Sequence, residues 1–404
     1  MRIVFLNPIA ELGGAEQVVL TAIRSLREAA PDFALHLIVG APGPLVDEAR
    51  AIGIDVSVIP LPDSLQTLGD SNLSSRGKTA LALRMMSKAP AVYKYVATLR
   101  KHLLRLRPDI VHACGIKCQL ASAWAAPSNV PVVWHIHDFL SRRSAASHAM
   151  RFLRRKNIRV LAVSEAVARD ARKTLKTTLT TTILNAIDVT RYVPGEGQGD
   201  MLDRIADLGP APAGTIRVGL VATFARWKGH FAVLAAAARL RNTHPELPLR
   251  WYLVGGPIYR TKAQVTSEEL RRAVTQLQLN DQVGFVPFSA DTPAIYRSLD
   301  IVVHASTSPE PFGLVIAEAM ACGRPTIVSA AGGATELFTE GVDAVGVPPN
   351  DEVKLAEAVH RLATDDALRR RLGIAARTTA TARFSAPRYG AELAKFYQHL
   401  LNDE

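Results

Sequence analysis

Two glutamates, Glu310 and Glu318, flank the most informative stretch of this sequence, with Gly313 between them. The residues that follow Gly313 have a helical pattern, so the amides of Gly313, Leu314 and Val315 would be the free donors of a helix N-terminus, where anions bind. A carboxylate beside phosphate-binding amides is unfavourable unless it accepts hydrogen bonds from hydroxyl groups. Sugars and ribose supply such hydroxyls, so the pattern predicts a site for a sugar phosphate compound.

An α/β fold must position these residues, because short apolar runs alternate with helical patterns throughout the chain. Apolar strands in such alternation imply parallel sheets covered on both faces, and ligands bind at the carboxyl ends of their strands. The stretch around Glu310 directly follows one predicted strand. The predicted strands are 2–6, 34–39, 56–59, 110–113, 130–134, 159–163 and 182–184 in the first half, and 217–222, 250–254, 283–285, 300–304, 326–328 and 344–347 in the second.

Two series of strands in 404 residues predict two doubly wound domains. The first domain is predicted over residues 1–190. The second is predicted over 191–387, and a last helix, 388–404, is expected to pack back on the first domain. The Gly- and Pro-rich stretches 192–199 and 209–214 are the predicted linker region.

One N-terminal insertion, residues 64–107, differs from the other connections. It begins as a Ser- and Gly-containing loop and continues as a basic helical stretch over 79–106. Two interpretations are open: an amphipathic helix that lies in a membrane interface, or a crossover helix packed on its own sheet.

Positive charge is concentrated in the N-terminal half. The formal net charge is +11, and residues 71–159 contain 17 basic and 2 acidic residues. Such a face could bind an anionic membrane surface or a phosphorylated acceptor, or it could simply be solvated. No sequence pattern of an RNA- or DNA-binding module accompanies it, so nucleic acid is not a predicted partner.

Composition also bears on the cell compartment. Three cysteines, Cys114, Cys118 and Cys322, are few and odd in number, which is typical of a reduced cytosolic protein. His112, Cys114 and Cys118 could be metal ligands, but no second cluster completes a site, so a structural role is favoured. The apolar run at the start of the given sequence is too short for a secretory signal, and no apolar run in the sequence is long enough to span a bilayer. We expect a cytoplasmic protein that is peripheral on the inner face of the membrane if the basic face binds lipid.

The motifs together resemble glycosyltransferase family 4, which has the GT-B fold. The resemblance implies two Rossmann-like domains that face each other across a cleft, with the acceptor bound by the first and the nucleotide sugar bound by the second. The strongest is Pro-Glu-Pro-Phe-Gly-Leu followed by Glu-Ala-Met-Ala-Cys-Gly, with seven residues between Glu310 and Glu318. Five other segments resemble the family in order and spacing. They are Gly-Gly-Ala-Glu at 13–16, His-Ile-His-Asp at 135–138, Val-Ser-Glu at 163–165 with Asn-Ala-Ile-Asp at 185–188, Trp-Lys-Gly at 227–229, and Leu-Val-Gly-Gly-Pro at 253–257.

The resemblance implies a role for each matching residue. Glu318 would bind the ribose hydroxyls of the nucleotide, and Glu310 hydroxyls of the transferred sugar. Lys228 would neutralise the diphosphate as the bond to the leaving group lengthens. His137 would lie near the donor sugar and the reacting centre. The remaining residues implied in donor binding are Gly14, Thr223, Arg226, Phe312, Gly313, Leu314 and Val315.

The sequence departs from the family at a position that commonly holds arginine. Here the residue five positions before Lys228 is Thr223, so that guanidinium is missing. Arg226 either reaches the diphosphate in its place or is solvated, because arginine positions at bidentate sites are not freely interchangeable. The change leaves open a reduced activity or an unusual donor.

The resemblance implies transfer of a hexosyl unit from a nucleoside diphosphate sugar to an acceptor hydroxyl, with retention at the anomeric carbon. The expected acceptor is a growing surface polysaccharide or a lipid-linked glycan. No Asp-x-Asp motif is present, so neither a metal ion nor another cofactor is expected. Two other functions are left open: a GT-B sugar-nucleotide epimerase, and a catalytically silent protein that binds nucleotides or glycans. A Rossmann dehydrogenase is disfavoured because Gly-Gly-Ala-Glu is not the dinucleotide fingerprint.

Overall fold

The structure is a computed structural model that describes residues 1–62, 78–257, 263–289 and 291–402, with the backbone alone described for 78–88. The predicted loop that begins at residue 64 lies outside the described residues up to 77. None of the described helices combines the length and the apolar character needed to cross a bilayer.

Two all-parallel sheets form the two halves of the molecule, as the strand alternation predicts. The strands of the first are β1 Arg2–Asn7, β2 Ala34–Val39, β3 Asp55–Val58, β4 Ile110–Cys114, β5 Val132–Ile136, β6 Ile158–Ala162 and β7 Thr180–Thr182. Those of the second are β8 Ile216–Val221, β9 Leu249–Val254, β10 Val283–Val286, β11 Ile301–His304, β12 Thr326–Ser329 and β13 Val345–Val347. The strand orders are β3-β2-β1-β4-β5-β6-β7 and β10-β9-β8-β11-β12-β13.

Helices connect these strands and cover both sheets. In the first half they are α1 Gly14–Ala29, α2 Pro44–Ala51, α3 Lys78–Leu106, α4 Ile116–Ala125, α5 Ser144–Leu153 and α6 Glu165–Leu175. In the rest of the chain they are α7 Gly199–Ile205, α8 His230–Thr243, α9 Ser267–Gln276, α10 Thr292–Arg297, α11 Leu314–Ala321, α12 Glu352–Thr364, α13 Asp366–Arg383 and α14 Ala386–Asn402.

The chain divides into two compact units, one of residues 1–186 with 386–404 and one of residues 187–385. Arg377 of α13 anchors the start of the second unit, because its guanidinium donates to the carbonyl oxygens of Val189 and Tyr192. The predicted linker at 192–199 therefore lies inside the second unit. Helix α14 returns to the first unit and packs on α1, where a Cβ at Gly390 would lie 2.2 Å from the Ser25 carbonyl oxygen.

The described side chains of α3 favour the interpretation as a crossover helix. Tyr95, Leu99 and Leu103, spaced by four residues, form one buried stripe. Leu104 and Tyr93 are exposed. The stripe is the face that a helix covering its own sheet must bury.

All thirteen predicted strands are present, and most of their ends differ by one or two residues. Two strands are shifted by two residues at both ends: β5, predicted over 130–134, and β7, predicted over 182–184 and observed at Thr180–Thr182. The prediction of β7 followed the apolar pair Ile183 and Leu184 and therefore placed this strand two residues too late. Threonines are good strand residues, and here they pair with 160–162 of β6.

Candidate active site

Glu310 is held in place by its own backbone after β11. Its amide donates to the Ala331 carbonyl oxygen at 3.1 Å, and its carbonyl accepts from the Gly333 amide at 2.7 Å. Between these partners lies Gly332, with φ of 71°. A Cβ there would lie 2.6 Å from the Glu310 carbonyl oxygen, so only glycine allows the two segments to pair.

The Glu310 carboxylate is almost fully enclosed and accepts hydrogen bonds from three side chains. Lys228 Nζ lies 3.0 Å from Oε2 and 3.2 Å from Oε1. Ser306 Oγ and His304 Nε2 lie 2.7 Å and 3.3 Å from Oε2. Burial by itself would raise the pKa of Glu310, but the Lys228 charge and the bonds from His304 and Ser306 hold that pKa well below its usual range. Glu310 is therefore a weakly basic anion that suits hydrogen-bond acceptance better than proton abstraction.

Lys228 reaches this carboxylate from the connection after β8. Its Nζ also lies 4.0 Å from the centre of the Trp227 ring, a cation–π contact. The next residue, Gly229, has φ of 80°, and a Cβ there would lie 1.8 Å from the Ala305 carbonyl oxygen. Glycine therefore permits the close approach of this loop to the end of β11, which brings Lys228 to Glu310.

Helix α11 begins beside this pair. Gly313 is the N-cap with φ of 104°, and the amides of Leu314 and Val315 come in the first turn, which lacks intrahelical acceptors. Phe312 has only 3% of its surface exposed, and its ring packs on Phe384 at 5.9 Å between centroids. Any contact of Phe312 with a donor must therefore use its backbone.

Glu318 lies on α11, about one turn into the helix. Its Oε2 accepts a 2.8 Å hydrogen bond from the hydroxyl group of Tyr296, and Tyr192 also bonds to the carboxylate. Burial raises the pKa of Glu318 above its usual value, although both tyrosines and Arg191 act in the opposite direction. A carboxylate has about four acceptor positions, so acceptor capacity remains for a ligand.

Thr223 and Arg226 lie in the connection that carries Lys228. The structure pairs Arg226 with Glu269 at the start of α9, with 2.9 Å between Nη2 and Oε1. This pair is substantially exposed, and the carboxylate gives the guanidinium an anionic partner within the protein. Thr223 is half-buried and its carbonyl accepts from the Ala225 amide at 2.7 Å.

Two other predicted residues belong to the first unit. Gly14 is exposed at the start of α1, where Glu16 braces the loop by accepting from the Gly13 amide at 3.2 Å. His137 follows β5, and its ring lies 4.0 Å from that of His135 between centroids. Burial lowers the pKa of His137 to about 4, so its imidazole is neutral at physiological pH.

One group of three metal-ligating side chains lies close together in the described part of the chain. It consists of His112, Cys114 and His135, with ligand atoms within 4.8 Å of one another. Cys118, considered with His112 and Cys114 from the sequence, is not in this group.

Comparison with known proteins follows the two-unit division. The model described as Glycosyltransferase Family 4 matches residues 12–191, and that described as Glycosyl transferases group 1 matches residues 209–379. The chain belongs to glycosyltransferase family 4. The second match contains Lys228, Glu310 and Glu318, and the first contains His137.

Relatives extend this result. A D-inositol 3-phosphate glycosyltransferase from Corynebacterium kroppenstedtii is 32% identical over 219 residues, which are 54% of this chain and 47% of that protein. The lipopolysaccharide core biosynthesis glycosyltransferase LpsD of Rhizobium meliloti is 32% identical over 180 residues, 45% of this chain and 48% of that protein. The chain spans about half the length of the curated relatives it matches.

Solved structures are similar over the whole length. The Anabaena protein Alr3699/HepE, solved in complex with UDP, is 26% identical with a TM-score of 0.79, and the match covers 99% of this chain and all of that one. The same protein has been solved with UDP-glucose. The fold is thus the GT-B fold of two Rossmann-like domains.

Four residues that bind the predicted glutamates were missed in the sequence. His304 and Ser306 could have been found, because polar residues at the end of an otherwise apolar strand lie where ligands bind. Tyr192 and Tyr296 gave no comparable signal. Tyr192 lies in the predicted linker, and Tyr296 lies in α10, where the sequence pattern is only apolar.

Proposed function

We propose that this protein is a retaining hexosyltransferase that moves a sugar from a nucleoside diphosphate sugar to the hydroxyl group of a surface polysaccharide or lipid-linked acceptor in the cytoplasm. The observation that carries the proposal is the ion pair of buried Glu310 with half-buried Lys228 beside the N-terminus of α11. It combines a cation, free helix amides and a hydroxyl acceptor, the three elements that a diphosphate sugar requires. The UDP and UDP-glucose complexes of the Anabaena protein support it.

In the proposed reaction each group has a separate task. Lys228 and the amides of Leu314 and Val315 neutralise the diphosphate as it leaves, and the ammonium has three donors, so it can serve Glu310 and a phosphate together. Glu310 accepts from sugar hydroxyls and offsets positive charge that develops on the sugar ring.

Retention follows in this proposal from reaction on one face of the sugar. Glu310 is already bound by Lys228, Ser306 and His304, so it is a poor nucleophile. The leaving diphosphate then takes the acceptor proton. His137, neutral in the folded protein, contributes a hydrogen bond to the donor sugar, and neither a metal ion nor another cofactor takes part.

Thermal unfolding in the presence of UDP-, GDP- and ADP-sugars tests the proposal. A donor at about 100 times its Kd stabilises the protein by about 2.7 kcal/mol, so the correct nucleotide separates clearly from the others. Incubation with that donor then distinguishes the functions. Glycosylated product with a retained anomer supports a retaining transferase, free epimerised donor indicates an epimerase, and binding without any reaction indicates a silent binding protein.

Replacing Glu318 with alanine should weaken binding of the free nucleoside diphosphate by about 2–3 kcal/mol, the scale of hydrogen bonding to a charged group. Calorimetric titration measures this change. Tyr296→Phe is the matched control, because it removes the hydroxyl on Oε2 but keeps the carboxylate, and it should leave affinity within about threefold of the original. Unchanged affinity in folded Glu318→Ala would exclude Glu318 from the nucleotide site.

We also propose that the first unit binds an anionic membrane surface. Five basic residues line one surface depression at the end of α6, near the exposed ring of Phe152, which has 88% of its surface exposed. In the described part of the chain no carboxylate lies within ion-pair distance of Arg169, Lys173 or Lys176. The five residues are Arg154, Arg169, Arg172, Lys173 and Lys176.

Charge reversal at Arg169, Lys173 and Lys176 should abolish pelleting with phosphatidylglycerol vesicles, because each basic group near the surface contributes about 1 kcal/mol. Arg154 is kept, since it is half-buried and donates to the Lys176 carbonyl oxygen. Transfer to a short soluble acceptor should be unchanged. Wild-type protein that stays in solution with vesicles even at low salt would contradict the membrane proposal.

A further inference from the structure

Four rings form a continuous line through the first unit, from the last helix of the chain to His137. The hydroxyl oxygen of Tyr397 on α14 lies 2.7 Å from His112 Nδ1. His112 Nε2 lies 3.1 Å from His135 Nδ1, and the His135 ring packs against His137. Tyr397, His112 and His135 are fully buried.

This line crosses an otherwise apolar core. Helix α14 contributes Leu393, Tyr397 and Leu400 to the hydrophobic cluster that covers the first sheet, and β1 contributes Phe5. Burying polar rings there costs free energy unless their nitrogen and oxygen atoms are paired. Core packing alone would be served as well by apolar rings, so the line requires another explanation.

Hydrogen-bond accounting sets the direction of the protons. Tyr397 makes no other side-chain hydrogen bond within the described residues, so its buried O–H is satisfied only if it donates to His112 Nδ1. Burial lowers the pKa of His112 to about 3 and that of His135 far below its usual value, so both rings are neutral. A neutral His112 that accepts at Nδ1 carries its proton on Nε2 and donates to His135 Nδ1, and His135 then carries its proton on Nε2.

The end of the line has an unfilled position. His137 Nε2 is a buried atom with no hydrogen-bond partner in the described part of the structure, and the same holds for His135 Nε2. A buried ring nitrogen without a partner is costly unless a ligand supplies the partner. His137 is thus held against a ring of fixed tautomer with one nitrogen available for substrate.

We infer that Tyr397, His112 and His135 are positioning residues that fix the orientation of the His137 ring for hydrogen bonding to the substrate. The inference rests on the proposed function, because it takes His137 as the residue that contacts the donor sugar. It gives α14 a role in the reaction, because this helix supplies Tyr397.

The hydroxyl group of Tyr397 is the part of the line that can be removed with least disturbance. Tyr397→Phe should lower kcat about tenfold, the lower end for loss of an outer partner, with the KM for the donor unchanged. Tyr389→Phe is the matched control. It removes a buried hydroxyl from the same helix, and that hydroxyl has no hydrogen-bond partner among the described residues, so kcat should be unchanged.

A double-mutant cycle separates positioning from general loosening of the core. In a His137→Ala background, Tyr397→Phe should have no further effect on kcat, because the residue through which Tyr397 acts is gone. If Tyr397→Phe lowers kcat by a further tenfold in the His137→Ala background, the two residues act independently. That result would overturn the inference while leaving the transferase function intact.

Nitrogen-15 NMR of the histidine rings gives a readout that does not require activity. Protonated Nε2 and unprotonated Nδ1 are expected for both His112 and His135. This pattern in a protein that transfers no sugar would overturn the proposed function but not the proton order. Protonated Nδ1 on either ring would overturn the inference, as would stoichiometric zinc that is lost in Cys114→Ser, because His112 and His135 would then be metal ligands.

Discussion

Replacing Glu310 with glutamine should reduce turnover about 100-fold or more while leaving the affinity for the nucleoside diphosphate unchanged or slightly higher. Removal of one preorganised electrostatic group costs about 10²–10³ in rate. The carboxylate binds Lys228 through both oxygens, so a neutral amide there gives up none of the diphosphate contacts and leaves the ammonium more available to the phosphates. Steady-state kinetics and calorimetric titration of the diphosphate, compared side by side, test this separation.

Glu269→Gln is the matched control for this experiment. Glu269 is also paired with a cation, Arg226, in the same unit, but the pair is exposed and its loss should be nearly neutral. Thermal unfolding checks that Glu310→Gln is folded. Parallel losses of diphosphate affinity and turnover would show that Glu310 acts on the nucleotide and not on the sugar.

The site around α11 was largely predictable from sequence because its residues are local. Glu310 and Gly313 lie in one strand-to-helix connection and Glu318 lies in the helix that follows it, so one periodicity and one glycine locate all three. Lys228 is 82 residues from Glu310, and its pairing with that carboxylate depends on β8 and β11 being neighbours in the sheet. The periodicity of a strand does not identify its neighbours in the sheet. The resemblance implied that Lys228 lies at the diphosphate, but neither source indicated its ion pair with Glu310.

The line of four rings in the first unit could not be predicted from sequence patterns. His112 and His135 come from adjacent strands, and Tyr397 lies 285 residues after His112 on a helix that returns from the end of the chain. In the sequence each looks like one more residue of an apolar element. Only the strand order places His135 beside His112, and only the packing of α14 on the first sheet gives His112 its second polar neighbour, Tyr397.

Buried histidines make the stability of this protein depend on pH in a defined direction. Four of these are His112, His135 and His137 in the first unit and His230 in the second. Burial lowers the pKa of His112 to about 3 and those of His137 and His230 to about 4, and it lowers the pKa of His135 far below 6.5. Below about pH 6.5 the unfolded chain binds protons at these positions and the folded chain does not.

The free energy of unfolding should therefore be highest above about pH 6.5 and fall with acidification, until the pH reaches the folded pKa values near 4 and 3. These four histidines together give a slope of at most about 5 kcal/mol per pH unit. Glu16 and Glu318 reduce this slope, because burial raises the pKa of each carboxyl and the folded protein then binds the extra proton. We expect a net slope of about 2–4 kcal/mol per pH unit, measured by urea unfolding between about pH 6.5 and about pH 5.

The two units should contribute unequally to this slope, since the first contains three of these four histidines and the second contains one. His230→Gln should reduce the slope by 2.303RT per pH unit, and in urea the change should be confined to the transition of the second unit if the two unfold separately. His148→Gln, at an exposed position of α5, is the control and should leave the slope unchanged. A free energy of unfolding that stays constant down to about pH 5 would mean that the unfolded and folded chains bind equal numbers of protons, and the four rings would then not be neutral in the folded protein.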